Sequence, residues 1–206
     1  MTRRAPPQPR KTPVQARSGA TVGVILEAAA RILETEGFEG YTTNAIAARA
    51  GVSIGSLYQY FPNKDAVTAA LVLADAEAFL ARCKAAAAAT RDRSPDALME
   101  ALIGAVVAHQ LDRPALARLI DIEEARLAGD PRAEEIDLEL FTLVLGLWAE
   151  AGIELPFDPV TSTADVFALV RGIVDMAGLR SETDHAALTA RVQHAVRGYL
   201  RPVTAS

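Results

Sequence analysis

The sequence predicts an all-α protein of about nine helices. A small N-terminal three-helix domain holds a helix-turn-helix, and a larger C-terminal helical domain follows. Three observations lead there. Apolar residues recur at three- and four-residue spacing from Thr21 to Leu200, with no sustained two-residue alternation of the kind a half-buried strand requires. Aromatics make up only 5% of the chain while alanine, the strongest helix former, is plentiful. Ser94-Pro95, Asp130-Pro131 and Asp158-Pro159 repeat the cap-plus-proline signature of a helix start.

Residues 1–18 carry Pro6, Pro7, Pro9 and Pro13 among five arginines and lysines, with no acid before Glu27, and read as a flexible basic arm. From Thr21, the residues Val22, Ile25, Leu26, Ala29 and Ile32/Leu33 mark one helical face, and Gly37 ends that helix as a left-handed cap. Thr42 or Thr43 caps a short helix running to Ala50, Gly51 breaks it, and Ser53 caps a second reaching Phe61. Pro62 stops that one. Asn63 caps a long helix that runs into the Ala85–Ala89 stretch. Further helices are expected over about 95–111, 114–128, 131–151, 159–178 and 183–200. The domain boundaries read as 1–18 for the arm, 19–65 for the helix-turn-helix domain and 66–206 for the remainder.

Several classes fall away. A single cysteine, Cys83, excludes a disulfide scaffold and a cysteine-based zinc site, and fits a reducing compartment. No apolar run is long enough to span a membrane, and no apolar core follows the basic N-terminus to make a signal peptide, so a cytoplasmic protein without membrane association is expected. There is no glycine-rich phosphate loop, GxSxG or HExxH, and His109, His185 and His194 are scattered; no enzyme, metal site or cofactor is expected.

The informative stretch is Tyr41 to Lys64, YTTNAIAARAGVSIGSLYQYFPNK. Ala47 supplies the small residue where two helices cross, Gly51 the residue that tolerates positive φ in the turn, and Leu57 the aliphatic anchor of the second helix. Ile46, Val52 and Phe61 complete an inward face. At 100° per residue, Gly55, Ser56 and Gln59 fall opposite Leu57, with Tyr58 and Tyr60 flanking. No carboxylate occurs between Thr42 and Lys64. A slim polar face without negative charge suits a DNA major groove. Gln59 is placed to contact base edges, Ser56 a base or a phosphate, and Thr43, Tyr58, Tyr60 and Lys64 phosphates.

These residues carry a resemblance. TTNAIAARAGVSIGSLYQYFPNKDAV, preceded by ILEAAARILETEGFEGYTT, resembles the tetracycline-repressor (TetR/AcrR) family of bacterial transcription regulators over about residues 20–70. The resemblance implies a homodimeric repressor on a double-stranded DNA operator, released by a small-molecule effector. It places DNA contacts at Thr42, Thr43, Ser53, Ile54, Gly55, Ser56, Tyr58, Gln59, Tyr60 and Lys64. It further implies that the last two helices form the dimer interface, and that a shift of the helix from Lys64 couples effector to DNA.

In the larger domain, 140–149 (LFTLVLGLWA) is apolar almost all round and is expected to be surrounded by protein. The 166–177 segment is similar, with Ala168, Gly172 and Ala177 allowing close approach. If the implied effector pocket exists, Met99, His109, Phe141, Trp148, Phe167 and Met176 are candidate walls, with Arg171 or Asp175 as a polar contact. Each also has a plain reading as core packing or as an i, i+4 ion pair. A rival for the whole chain is a helical interaction and dimerisation module without specific DNA binding.

The formal charge of −5 appears to argue against DNA, but it is unevenly spread: residues 1–64 carry +4 and residues 65–206 carry −9. The end that holds the helix-turn-helix is thus basic in its own right. If the arm touches DNA, deleting residues 2–17 weakens binding and flattens its salt dependence, because each neutralised phosphate releases counterion; an unchanged slope removes the arm from the interface.

Overall fold

The computed structural model describes residues 13–90, 94–126 and 130–201. Among them run nine helices and no strand: α1 (Pro13–Gly40), α2 (Thr43–Ala50), α3 (Ile54–Tyr60), α4 (Lys64–Ala89), α5 (Pro95–Asp112), α6 (Pro114–Arg126), α7 (Pro131–Glu150), α8 (Pro159–Leu179) and α9 (His185–Tyr199). The chain forms two compact units, one ending at Thr68 and the other beginning at Ala69.

In the first unit α1 packs on α2, and α2 on α3. Ile25, Ala29, Ile32 and Leu33 of α1 are buried, as the periodicity requires. α1 starts at Pro13, so residues 13–18 of the expected arm are helical; a proline at a helix start gives up an N–H that has no partner there anyway. Residues 1–12 of the arm lie outside the described residues. Gly37 takes φ 63° and interrupts the helix where the sequence placed its end, with a further turn to Gly40 beyond it.

In the second unit α5, α8 and α9 pack on one another, α7 lies on α8, and α6 contacts α5 and α8. Leu188 and Val192 of α9, both wholly buried, meet Val107 of α5 and Val174 of α8 in the core. Gly178 lets α8 approach α5 closely: a methyl group there would stand 2.5 Å from Gln110 Nε2. Side-chain caps stand at Ser94, Asp130 and Asp158, where the cap-plus-proline pairs put them, and each accepts a backbone N–H from the first turn of its helix. Asp184 adds a further cap of the same kind, so α9 starts at His185, two residues after the expected Thr183. α8 ends at Leu179, one residue past the expected end, and Ser181 takes the left-handed position beyond it (φ 54°). The expected end of α6 near Gly129 lies outside the described residues.

One expectation fails within the single chain. α7 is not enclosed: Ile136, Val144 and Trp148 are buried, but Phe141, Leu143, Leu145 and Leu147 are only half-buried. Its packing covers one stripe, however apolar its other sides. Cys83 of α4 is buried, and burial pushes its thiol up to about 11, which keeps it protonated and unreactive at neutral pH.

Thr163 of α8, fully buried, accepts a hydrogen bond from Trp148 Nε1 (2.9 Å) and donates to the Pro159 carbonyl (2.7 Å). Replacing it by the isosteric valine strands a buried indole N–H. Thr163→Val is expected to cost about 1–3 kcal/mol in chemical denaturation of the second unit.

Candidate nucleic-acid interface

The turn between α2 and α3 is built from backbone chemistry local to the sequence. Thr42 is extended (φ −126°, ψ 154°), and its hydroxyl accepts the Ala45 N–H at 3.1 Å, capping α2. Gly51 sits at φ 67°, ψ 26°. Its N–H donates to the Ala48 carbonyl (3.2 Å), and the Val52 N–H donates to the Ala47 carbonyl (3.0 Å). This pair of bonds is a Schellman closure, which needs a left-handed residue at Gly51. Ser53 then caps α3 by accepting the Ser56 N–H at 3.0 Å. Ile46 and Leu57 are wholly buried, and Ala47 and Phe61 nearly so. After Pro62, Asn63 Oδ1 accepts the Ala66 N–H at 2.8 Å and starts α4.

With Leu57 inside, the opposite side of α3 faces out. Gly55, Tyr58 and Gln59 are exposed, Tyr58 by half and Ile54 by 38%, while Ser56 and Tyr60 are half-buried. Thr43 Oγ1 and the Tyr58 hydroxyl lie 3.2 Å apart, which ties α2 to α3 and holds the phenol upright on the surface. The Ser53 and Ser56 hydroxyls bond to each other at 2.8 Å. Ser56 is therefore partly engaged within the protein, and Thr42 and Ser53 act as caps. Among the described residues Gln59 has its amide free of internal hydrogen bonds. Lys64 is exposed, its Nζ 5.8 Å from the centre of the Tyr41 ring.

Tyr41 was not singled out from sequence. It is 1% exposed, and its hydroxyl meets Thr68 Oγ1 at 3.2 Å, while Thr68 also donates to the Lys64 carbonyl at 3.1 Å. It fixes the start of α4, and hence Lys64, against the rest of the first unit. Its position directly before the capping threonine pair was the available signal. Arg49, at the end of α2, is a further surface cation and lies 3.7 Å from Glu36.

The candidate effector residues do not converge. Trp148 is core and bonded to Thr163, and the Phe141 and Phe167 rings meet at a tilt with their centres 5.7 Å apart. Met99 and Phe167 pack against the core, Met176 is 47% exposed, and Arg171 pairs with Asp175 at 3.4 Å on the surface of α8. His109 alone of the eight lines the cavity of about 200 Å³ among α4, α5 and α6, with Asp75, Ala78, Arg82, Asp112, Arg113, Leu116 and Ala117. His109 Nε2 lies 3.0 Å from Asp75 Oδ2, and its ring stacks on Phe79. The hydrogen bond from Arg82 holds the Asp112 carboxyl below its usual range, with His185 adding to the effect. Nearby on α6, burial and then the Asp175 carboxylate raise Asp121. A second cavity, of about 520 Å³, lies among α4, α5 and α7 and uses none of the eight. The candidates omitted α4, which contributes to both cavities. Among the described residues no cluster of histidine, cysteine, aspartate or glutamate fits a metal ion, and no helix is long and apolar enough to cross a membrane.

Residues 25–71 match the family model for bacterial regulatory proteins of the tetR family. The match spans α2, α3 and their flanks, the same stretch that carries the resemblance. No curated protein sequence matches significantly. Among solved structures, a candidate TetR-family transcriptional regulator from Mesorhizobium loti MAFF303099 superposes with a TM-score of 0.71 at 18% identity, covering 89% of this chain and 96% of that one. A TetR-family transcriptional regulator from Streptomyces coelicolor gives 0.68 at 24% identity, covering 89% and 97%. The fatty acid degradation regulator FadR from Bacillus halodurans gives 0.66 at 18% identity, covering 88% and 98%. At these identities the likeness establishes a shared fold across nearly the whole chain.

Leu57 is the residue on which the interface geometry turns. Leu57→Ala is expected to cost about 2–5 kcal/mol, read as early melting of the first unit in thermal or chemical denaturation.

Proposed function

We propose that this chain, whose helix-turn-helix matches the tetR family, is a sequence-specific DNA-binding transcriptional regulator. In that reading it acts as a homodimeric repressor released from its operator by a small molecule. The observation that carries the proposal is the outward face of α3. It is slim, polar and free of carboxylates, and it is held by a buried leucine within a unit whose sequence is net basic. Gln59 reads base edges; Thr43, Tyr58, Tyr60 and Lys64 meet phosphates and set the register.

Dimerisation is supported by α8. Val160, Ala164, Ala168, Gly172, Met176 and Leu179 recur every three or four residues along it and are exposed. Small residues between larger apolar ones allow a second copy to approach closely, and a two-fold pair of readers presents two recognition helices about 34 Å apart along DNA. Release by a small molecule is supported by the cavity of about 200 Å³ around His109, which offers both signs of charge. That effector binding shifts the DNA affinity is a coupling between two sites and two states.

The test is electrophoretic mobility shift with genomic fragments. The full chain is expected to retard particular fragments; retardation of all or of none alike favours a plain interaction module. Tyr58→Phe combined with Lys64→Ala is expected to weaken binding to every sequence by a similar factor. Gln59→Ala is expected to change which sequences are preferred, and an unchanged preference removes Gln59 from base readout.

A further inference from the structure

Asp75, Ala78 and Arg82 recur at three- and four-residue spacing on one face of α4, and they line the cavity of about 200 Å³ together with His109, Asp112 and Arg113. Neither of the two α4 charges is saturated there. Asp75 Oδ2 meets His109 Nε2 at 3.0 Å, and Arg82 Nη1 donates to Asp112 Oδ2 at 3.0 Å. Among the described residues, Asp75 Oδ1 and the other N–H groups of Arg82 have no further partner. A guanidinium carries five donors and a carboxylate two acceptor oxygens. Hydrogen-bonding capacity of both signs is thus left over at the cavity wall.

The two signs stand at different ends. One end has the Asp75 carboxylate; the other has two guanidinium groups, Arg82 and Arg113, against the Asp112 carboxylate. The ends meet α5 at His109 and Asp112, three residues apart, which is about 4.5 Å along a helix axis. Ala78, a small residue between Asp75 and Arg82, and the buried Leu116 and Ala117 of α6 give the cavity an apolar floor. At ~30 Å³ per water its volume equals about seven waters. That lies below the roughly 300–1,000 Å³ of sites for drug-sized molecules. A lone anion would leave its charge against Asp75, and a lone cation against the arginines, and desolvating an unpaired charge is costly. A molecule with an ammonium and a carboxylate one carbon apart answers both ends.

Resting on the reading of this cavity as the effector site, we propose that its ligand is a small zwitterion, an α-amino acid with a short apolar side chain. The ligand ammonium donates to Asp75 Oδ1. The ligand carboxylate accepts from Arg82 and lies toward Arg113, and the side chain rests on Ala78, Leu116 and Ala117. The Asp75–His109 and Arg82–Asp112 pairs stay in place and hold the two charges at their separation. Recognition depends on both charges at once, so neither half of the molecule is a ligand.

The experiment is isothermal titration calorimetry on the full chain without DNA, with L-alanine, L-valine and L-leucine as probes. At least one is expected to bind saturably. Each binder is compared with its two halves; for L-valine these are isobutylamine, which lacks the carboxylate, and 3-methylbutanoate, which lacks the amine. Each half is expected to bind roughly tenfold or more weakly, because a hydrogen bond to a charged group is lost. Asp75→Asn is expected to abolish the advantage of the amino acid over 3-methylbutanoate, and Arg82→Gln its advantage over isobutylamine. A merely structural role would weaken all three alike. Glu77→Gln, on the same helix and paired with Arg132 outside the cavity, is expected to bind like the wild type. Failure of all three amino acids to bind overturns the inference, as does a half that binds as tightly as the whole. Mobility shift with a duplex selected by the chain separates the inference from the reading it rests on. An amino acid that binds with this selectivity but leaves the DNA complex intact supports the site and overturns release by its ligand. Release by a molecule of another class, lost in Asp75→Asn, overturns the inference alone.

Discussion

Leu57 is wholly buried, and the placement of α3 follows from that. A helix of seven residues is too short to be stable in water, because the cost of nucleation is spread over too few bonds. It persists here because one aliphatic side chain is buried in a unit whose core also holds Ile46 and Ala47 of α2, and because both ends are fixed. Ser53 caps the start, the Phe61 N–H donates to the Leu57 carbonyl at the end, and the Gly51 turn sets the direction of approach. Once Leu57 is inside, helical geometry leaves no choice about Gly55, Tyr58 and Gln59, which stand outside. The candidate interface is thus a consequence of one buried contact.

The electrostatics follow the same division. The first 64 residues are net +4, and the recognition face has no acid to repel phosphate. The remaining residues are net −9, and many of their charges in the second unit are paired with each other: Arg82 with Asp112, Arg132 with Glu77 and Glu135, Arg191 and Arg180 with Glu182. Exposed pairs of this kind contribute little stability. Their importance is that they leave these arginines neutralised, with little basic surface around them to compete for DNA. Hydrogen bonding divides the outward face of α3 further. The hydroxyls of Thr43 and Tyr58, and those of Ser53 and Ser56, bond to each other in pairs, while among the described residues the Gln59 amide has no internal hydrogen bond.

The parts of this structure legible in the sequence are those decided within a few residues. The Thr42 and Ser53 caps, the Gly51 turn and the Asp130 and Asp158 starts each depend on a side chain or backbone group bonding its own neighbouring backbone, and each stands where its residue type demands. What could not be read depends on contacts far apart in the chain. Periodicity shows that α7 is apolar all round; it does not show that its neighbours cover only the stripe of Ile136, Val144 and Trp148. The cavity around His109 needs Asp75 and Arg82 from α4, which are 34 and 27 positions away and carry no local signal of their role. The buried place of Tyr41 depends on Thr68, 27 positions on, being brought against its hydroxyl. Ser56 reads as a contact to a base or a phosphate, and its added bond to Ser53 has no signal in the spacing.

The central claim is that the first unit meets DNA through the outward face of α3, and amide hydrogen exchange tests it most directly. The full chain is compared with and without a duplex that it has selected. The account predicts slowed exchange across α2 and α3, from Thr43 to Tyr60. Binding that leaves those amides unchanged and protects only residues beyond Ala69 contradicts it.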